Sequence, residues 1–188
     1  ALREKFGFEL IVDEAHAGGI YGSRGEGLGA AYPDIFARVI TFGKAWGNAG
    51  AVVLGSNVLK QFLINFARPF IYSTAPTPEH VRHLLTAMHF VQQAEEARQQ
   101  LRANISFFKE NQQAEAWGDS ETAIQTFFVS GNEAVRKLAH RAQDAGFAVK
   151  PIVYPTVAKG KERIRITLTA QAKPADMLAL IQILESHA

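Results

Sequence analysis

Apolar residues fall along this chain in two rhythms. Near-continuous runs, Phe8 to Asp13 broken only by Glu9, then Val39 to Phe42 and Ala49 to Leu54, occupy its first third. Runs of this kind predict strands covered on both faces, as in a parallel sheet flanked by helices. The second rhythm recurs every third or fourth position. Val58, Leu59, Phe62, Leu63 and Phe66 form one such stripe behind Ser56, a hydroxyl suited to cap a helix, and Arg68-Pro69 ends it. Phe70 to Thr74 then predicts a short extended piece in which the hydroxyls of Ser73 and Thr74 stand together. Thr77-Pro78-Glu79 combines a capping hydroxyl, a proline at the first helical position and a first-turn acid. Beyond it Val81, Leu84, Leu85, Met88 and Val91 make a stripe that no breaker interrupts before about Gln113.

After the loop at Trp117 to Ser120 the texture becomes compact. The pattern predicts a strand over Ala123 to Val129, a helix over Glu133 to Ala145 stopped by Gly146, strands over Phe147 to Pro151 and Arg163 to Leu168, and a last helix begun by Pro174. Residues Lys150 to Lys161 read as a loop rich in Pro, Thr and Lys. The fold class is therefore α/β, divided as part of a larger domain over 1–76, one long connecting helix over 77–113, and a small α/β domain over 114–188.

Composition narrows the function classes. With 188 residues, 47% hydrophobic and 20% charged, the chain suits a globular protein with a sizeable core. A formal charge of +2, with scattered basic residues, gives no nucleic-acid surface. No apolar run spans a bilayer, so no membrane partner is expected. The absence of cysteine removes disulfides and thiolate metal sites and fits a reducing cytoplasm. Ala1 stands only one short segment before the first strand, which is the expectation for a piece of a longer chain.

Chemistry gathers at strand ends. Lys44 lies between the second and third runs, surrounded by small residues and expected to be buried. Burial disfavours an ammonium and prepares a lysine to form a Schiff base with a carbonyl. Asp13 and His16 lie at the carboxyl end of the first run, where open α/β sheets bind ligands. The stretch Gly18 to Gly29 has six glycines in twelve positions but lacks Gly-x-Gly-x-x-Gly spacing, so it reads as a shaped loop. Singly, each of these residues is read as structural. Taken together, Asp13, His16, Thr41 and Lys44 match what pyridoxal phosphate (PLP) requires: an amine for the aldehyde, an anion beside the ring nitrogen and a donor for the phosphate. A carboxylate beside the ring nitrogen favours its protonated form by roughly 1–3 pKa units. Two other readings compete. Asp13-Glu14-Ala15-His16 is also the motif of DEAH-type ATPases, but these need a phosphate loop ending Gly-Lys-Ser/Thr, and Gly43-Lys44 is followed by Ala45. A catalytically silent scaffold is expected to lose Lys44 first.

Several motifs occur in one register: Asp13-Glu14-Ala15-His16, Tyr21-Gly22, Arg24-Gly25, Thr41-Phe42-Gly43-Lys44-Ala45-Trp46-Gly47, Gly50-Ala51, Ile71-Tyr72-Ser73-Thr74-Ala75, Tyr154-Pro155-Thr156-Val157 and Arg163-Ile164-Arg165-Ile166-Thr167. In order and spacing they resemble the α-oxoamine synthases, PLP-dependent fold-type I acyltransferases, over nearly the whole chain. The resemblance implies the second half of the large PLP-binding domain plus the small C-terminal domain. It implies that Lys44 holds the cofactor covalently, Asp13 partners the pyridine nitrogen, His16 the ring hydroxyl and Thr41 the phosphate. Ser73 and Thr74 would reach the phosphate of the neighbouring subunit's cofactor in a homodimer with shared sites, and no metal is implied. Thr156 and Arg165 would contact substrate, Arg165 clamping the amino-acid carboxylate. Arg163 is expected to face the other side of the strand. The implied reaction joins an amino acid to an acyl-CoA or acyl-carrier thioester with loss of carbon dioxide. L-Alanine with a pimeloyl thioester, the biotin-pathway branch, is the expected pair, and glycine with acetyl-CoA is the alternative. Ala158 and Trp46 depart from the family's usual residues. The family's glycine-rich phosphate segment, ring-stacking histidine and upstream serine have no counterpart here, so this segment alone is expected to be inactive.

Overall fold

The computed structural model describes residues 2–186, which form two compact units dividing between Glu95 and Glu96. The first unit opens with a short helix, α1 (Leu2–Phe6), and builds a three-stranded sheet from β1 (Ile11–Asp13), β2 (Ala37–Thr41) and β3 (Ala51–Gly55) in that order. β1 runs parallel to β2, with Asp13 beside Val39, and β3 runs antiparallel to β2, with Ala51 opposite Thr41. The sheet is thus half parallel and half antiparallel. α2 (Asn57–Phe66) starts as its cap predicts, Leu59 N–H donating to Ser56 Oγ at 3.1 Å.

Three expectations for this unit change. Phe70 to Thr74 is not extended, because Arg68–Ile71 closes one helical turn, α3, with Pro69 in its permitted first-turn place. The helix capped by Thr77 is α4 (Pro78–Gln93), which ends at its C-cap Ala94, and α5 (Glu95–Glu110) follows in place of one continuous helix to Gln113. Neither glycine nor proline marks that break, and nothing else in the structure explains it. The predicted covering of the first strand is also missing: Ile11 is 63% exposed, and Phe8 and Leu10 are exposed as well. On α2, Val58, Phe62 and Phe66 are exposed, while Leu59 and Leu63 are half-buried.

The second unit carries the hydrophobic core. Strands β4 (Ile124–Phe128), β6 (Arg163–Thr167) and β5 (Lys150–Ile152) form an antiparallel sheet in the order β4-β6-β5, overlaid by α6 (Asn132–Asp144) and α7 (Pro174–Glu185). Phe108, Phe127, Leu138, Ile164 and Leu184 are fully buried together. On β6, Ile164 and Ile166 point into the core while Arg163, Arg165 and Thr167 share the open face. The two arginines therefore lie on the same side, as a two-residue spacing in a strand requires, and Arg163 does not face the other side. No helix among the described residues is long and apolar enough to cross a membrane.

Glu185, at the end of α7, pins the segment after α5. Its Oε1 accepts from the backbone N–H groups of Gln113 (2.7 Å) and Ala114 (3.1 Å) and from Trp117 Nε1 (2.7 Å). Trp117 in turn meets Phe108 and Phe127 edge-on, with centroids 5.3 and 4.9 Å away. Burial works against the charge of Glu185, but the three donors outweigh it and hold the carboxyl below its ordinary range. A carboxyl whose pKa is lower folded than unfolded stabilises fully above the unfolded value and loses that contribution as pH falls through the folded one. In a Trp46→Phe background, where Trp117 alone reports, the denaturant midpoint should fall as pH is taken from about 5 to about 3. Glu185→Gln should lower the neutral-pH midpoint and flatten that dependence; an unchanged pH slope would contradict the role given to Glu185.

Candidate active site

Asp13 and Thr41 stand at the carboxyl ends of adjacent strands, and Lys44 lies in the turn joining β2 to β3. That turn is closed by its own backbone: Phe42 N–H donates to Gly50 O (2.8 Å), Asn48 N–H to Phe42 O (2.8 Å) and Gly47 N–H to Lys44 O (3.0 Å). The turn after β1 is equally defined. Ala15 N–H donates to Asp13 Oδ1 at 2.8 Å, and the N–H groups of Ala17 and Gly18 both donate to Glu14 O at 2.9 Å. These turns lie against each other through small residues. A Cβ on Gly18 would come within 2.9 Å of Ile40 Cγ2 and 3.2 Å of Trp46 Nε1, and one on Gly19, at φ +87°, within 2.9 Å of Ala45 Cβ. This approach brings Lys44 Nζ to 3.1 Å from His16 Nε2.

Lys44 is exposed rather than buried, a correction to the sequence reading. Its apolar neighbours run into the strands on either side, and the small residues of the turn leave the amine open. At the end of β2 and in the turn after it, Thr41 Oγ1 and Trp46 Nε1 are shut off from solvent, and neither finds a hydrogen-bond partner among the described residues. Buried polar atoms are nearly always bonded, so this hydroxyl keeps a donor unspent for a ligand acceptor. An amine, an imidazole, an exposed carboxylate and a spare hydroxyl make a donor set that fits PLP. No cluster of His, Asp or Glu suited to a metal ion occurs among the described residues.

Sequence reasoning missed the pair that holds this arrangement. Glu14, 1% exposed, accepts at Oε2 from Arg38 Nε (2.6 Å) and Arg38 Nη2 (2.5 Å), and at Oε1 from Gly29 N–H (2.7 Å). Gly27, at φ +90°, leaves the necessary space, because a Cβ there would lie 2.6 Å from Glu14 Oε1. Glu14 is therefore sealed by Arg38 while Asp13 is exposed, an arrangement opposed to the DEAH reading, which needs both acids free for a metal and water. The available signal was Arg38 inside an apolar strand, since buried charges require partners. Nearby, the N–H groups of Glu26 itself and of Arg24 hold the Glu26 carboxyl below its ordinary range.

Ser73 and Thr74 are exposed, and Ser73 Oγ donates to Pro69 O, closing the turn of α3. In the second unit Thr156 is exposed in the loop after β5, and Arg165 is exposed on the central strand between Thr126 and Lys150. Arg163 is occupied, its guanidinium 4.7 Å from the centre of the Phe128 ring and its Nε donating to Lys161 O. Beside that loop an open cleft of about 430 Å³ is lined by Gly131, Asn132, Tyr154, Lys159 and Glu162 among others. The Gly131 N–H holds the Glu162 carboxyl below its ordinary range.

A two-unit α/β chain with a lysine and an acid at neighbouring strand ends defines a class that comparison makes specific. Residues 1–184 match the family described as aminotransferase class I and II, and the chain belongs to that family. It is 40% identical over 180 residues to 8-amino-7-oxononanoate synthase of Photorhabdus laumondii, covering 93% of this chain and 46% of the relative. The crystal structure of 8-amino-7-oxononanoate synthase from Francisella tularensis superposes with a TM-score of 0.83 at 25% identity, covering 94% of this chain and 54% of that one. A serine palmitoyltransferase from S. paucimobilis, described with a bound PLP–myriocin aldimine, shares the fold at 22% identity with a TM-score of 0.85, over 99% of this chain and 48% of its own. The chain spans about half the length of the curated relatives it matches.

Removing Glu14 should be costly in a way that removing a surface acid is not. Glu14→Ala takes the acceptor from Arg38 Nε and from the Gly29 N–H and should cost about 3–5 kcal/mol in chemical unfolding. Glu79→Ala, which breaks the exposed pair with Arg82, should cost no more than about 1 kcal/mol. Equal losses from the two variants would contradict the place given to Glu14.

Proposed function

We propose that the protein carrying this chain is a PLP-dependent acyltransferase that condenses L-alanine with a pimeloyl thioester, with loss of carbon dioxide, forming 8-amino-7-oxononanoate. The observation that carries this reading is the approach of Lys44 Nζ to His16 Nε2 at 3.1 Å, in the turn that follows the unspent hydroxyl of Thr41 at the end of β2. Family membership and the names of the relatives support it. When bound, the cofactor supplies an electron sink that lets the α-proton of the amino acid be removed and its carbon act as a nucleophile.

Each residue of the site has work to do toward that chemistry. Lys44 anchors the cofactor and, once released by the incoming amino acid, takes the α-proton as general base. Asp13 lends its carboxylate to the ring nitrogen, keeping a proton there. Thr41 Oγ donates to a phosphate oxygen, and His16 holds the ring hydroxyl. In the second unit Thr156 and Arg165 recognise substrate, the planar guanidinium being suited to a carboxylate. Ser73 and Thr74 serve the phosphate of a neighbouring subunit in a homodimer, the Ser73 hydroxyl exchanging Pro69 O for it. The reaction belongs in the cytoplasm and needs neither a metal nor a nucleic acid.

The test is release of free CoA by the complete protein, comparing L-alanine plus pimeloyl-CoA with glycine plus acetyl-CoA. Faster release with the first pair is expected. Faster release with the second would move the protein to glycine C-acetyltransferase chemistry, and release with neither would overturn the reading. Lys44→Ala should lower turnover by at least about 10²–10⁴-fold, the usual contribution of a general base; wild-type turnover in that variant would refute the role of the lysine.

A further inference from the structure

We propose that His16 is the acid–base catalyst by which Lys44 captures the cofactor's aldehyde, a role that comes before any contact it makes with the bound ring. This rests on the PLP reading of the site. Three observations carry it. The two nitrogens are 3.1 Å apart, within reach for direct proton transfer. The turn bearing His16 is fixed from behind by Glu14 and packed through Gly18 and Gly19 against Ala45 and Trp46, so the imidazole meets the amine as a consequence of the backbone. Both side chains are exposed, which leaves the pair open to an arriving aldehyde. The carboxylate of Asp13 accepts from Ala15 N–H, and a threonine hydroxyl is a poor base. Imidazole is the side chain that both takes and gives a proton near neutral pH.

An ammonium has no lone pair and cannot attack a carbonyl. Capture joins Nζ to the aldehyde carbon by a C=N bond, and the carbonyl oxygen leaves as water. Nζ begins as an ammonium with three hydrogens and ends with one, and the two it sheds both depart on that oxygen. His16 Nε2 takes the first from Nζ as the lone pair adds to the carbon and hands it to the oxygen. It then takes the second from nitrogen and gives it to the oxygen as the C–O bond breaks. Imidazole ends as it began, and no oxidant or reductant is involved.

The experiment strips PLP from the complete protein, adds it back, and follows growth of the visible band by stopped flow, with cofactor affinity measured separately by fluorescence quenching. His16→Ala should slow the rise by about 10²–10⁴-fold, and free imidazole should restore the rate in proportion to its concentration without affecting wild type. His16→Gln, which keeps a hydrogen-bonding group but has no base, should be slow as well, and serves if the alanine variant does not fold. A rate unchanged in the variants, or one that imidazole fails to accelerate in His16→Ala, would overturn the proposal. A wild-type protein that develops no visible band would overturn the PLP reading itself, and this step with it.

Discussion

A carboxylate almost wholly withdrawn from water needs a compensating charge and donors for both its oxygens, and Glu14 finds both. Arg38 approaches from β2, Gly29 N–H arrives from the glycine-rich loop, and Gly27 leaves the gap that the carboxylate fills. Breaking such a pair strands a buried charge, so the geometry around it is held tightly. Asp13 precedes Glu14 and His16 follows two residues later, which fixes where these two groups emerge. Arg38 also donates to Glu26 O, tying the loop to the same point. The ion pair thus joins a strand end, a loop and a neighbouring strand into one support for the turn that carries Asp13 and His16.

The two units are stabilised differently. In the second, a continuous apolar cluster from α5 to α7 buries Phe108, Phe127, Leu138 and Ile164 completely, and Glu185 secures its edge. In the first, the fully enclosed apolar residues are small or few, Ala17, Ala37 and Ile40, and hydrogen-bonded turns carry much of the order. Precision at the Lys44 turn comes from backbone hydrogen bonds and close glycine packing more than from bulk burial. On that frame the amine of Lys44 and the imidazole of His16 meet at 3.1 Å.

Capping and stop signals are legible in the sequence, because the deciding interaction lies within a turn of the residue that carries it. Ser56 and Thr77 cap the helices their hydroxyls predict, Gly146 ends α6 at φ +93°, and Pro174 begins α7. Signals that depend on distant partners failed. The strand and helix stripes around Ile11, Val58 and Phe62 have the pattern of buried faces, yet pattern does not reveal whether a covering residue exists within the chain. Lys44 was expected to be buried because of its apolar flanks, but the turn between the strands leaves it open. Glu14 looked like half of an acidic pair; its true partner is 24 residues away, a separation no local motif contains. Arg163 and Arg165 share one face of β6, as alternation along a strand requires.

In the proposed function Lys44 is the residue joined to the cofactor. The most direct measurement is borohydride reduction of the complete protein loaded with PLP, followed by proteolysis and mass mapping of the modified peptide. The account predicts a single phosphopyridoxyl group on the peptide containing Lys44. A label on another lysine, or none, would contradict it.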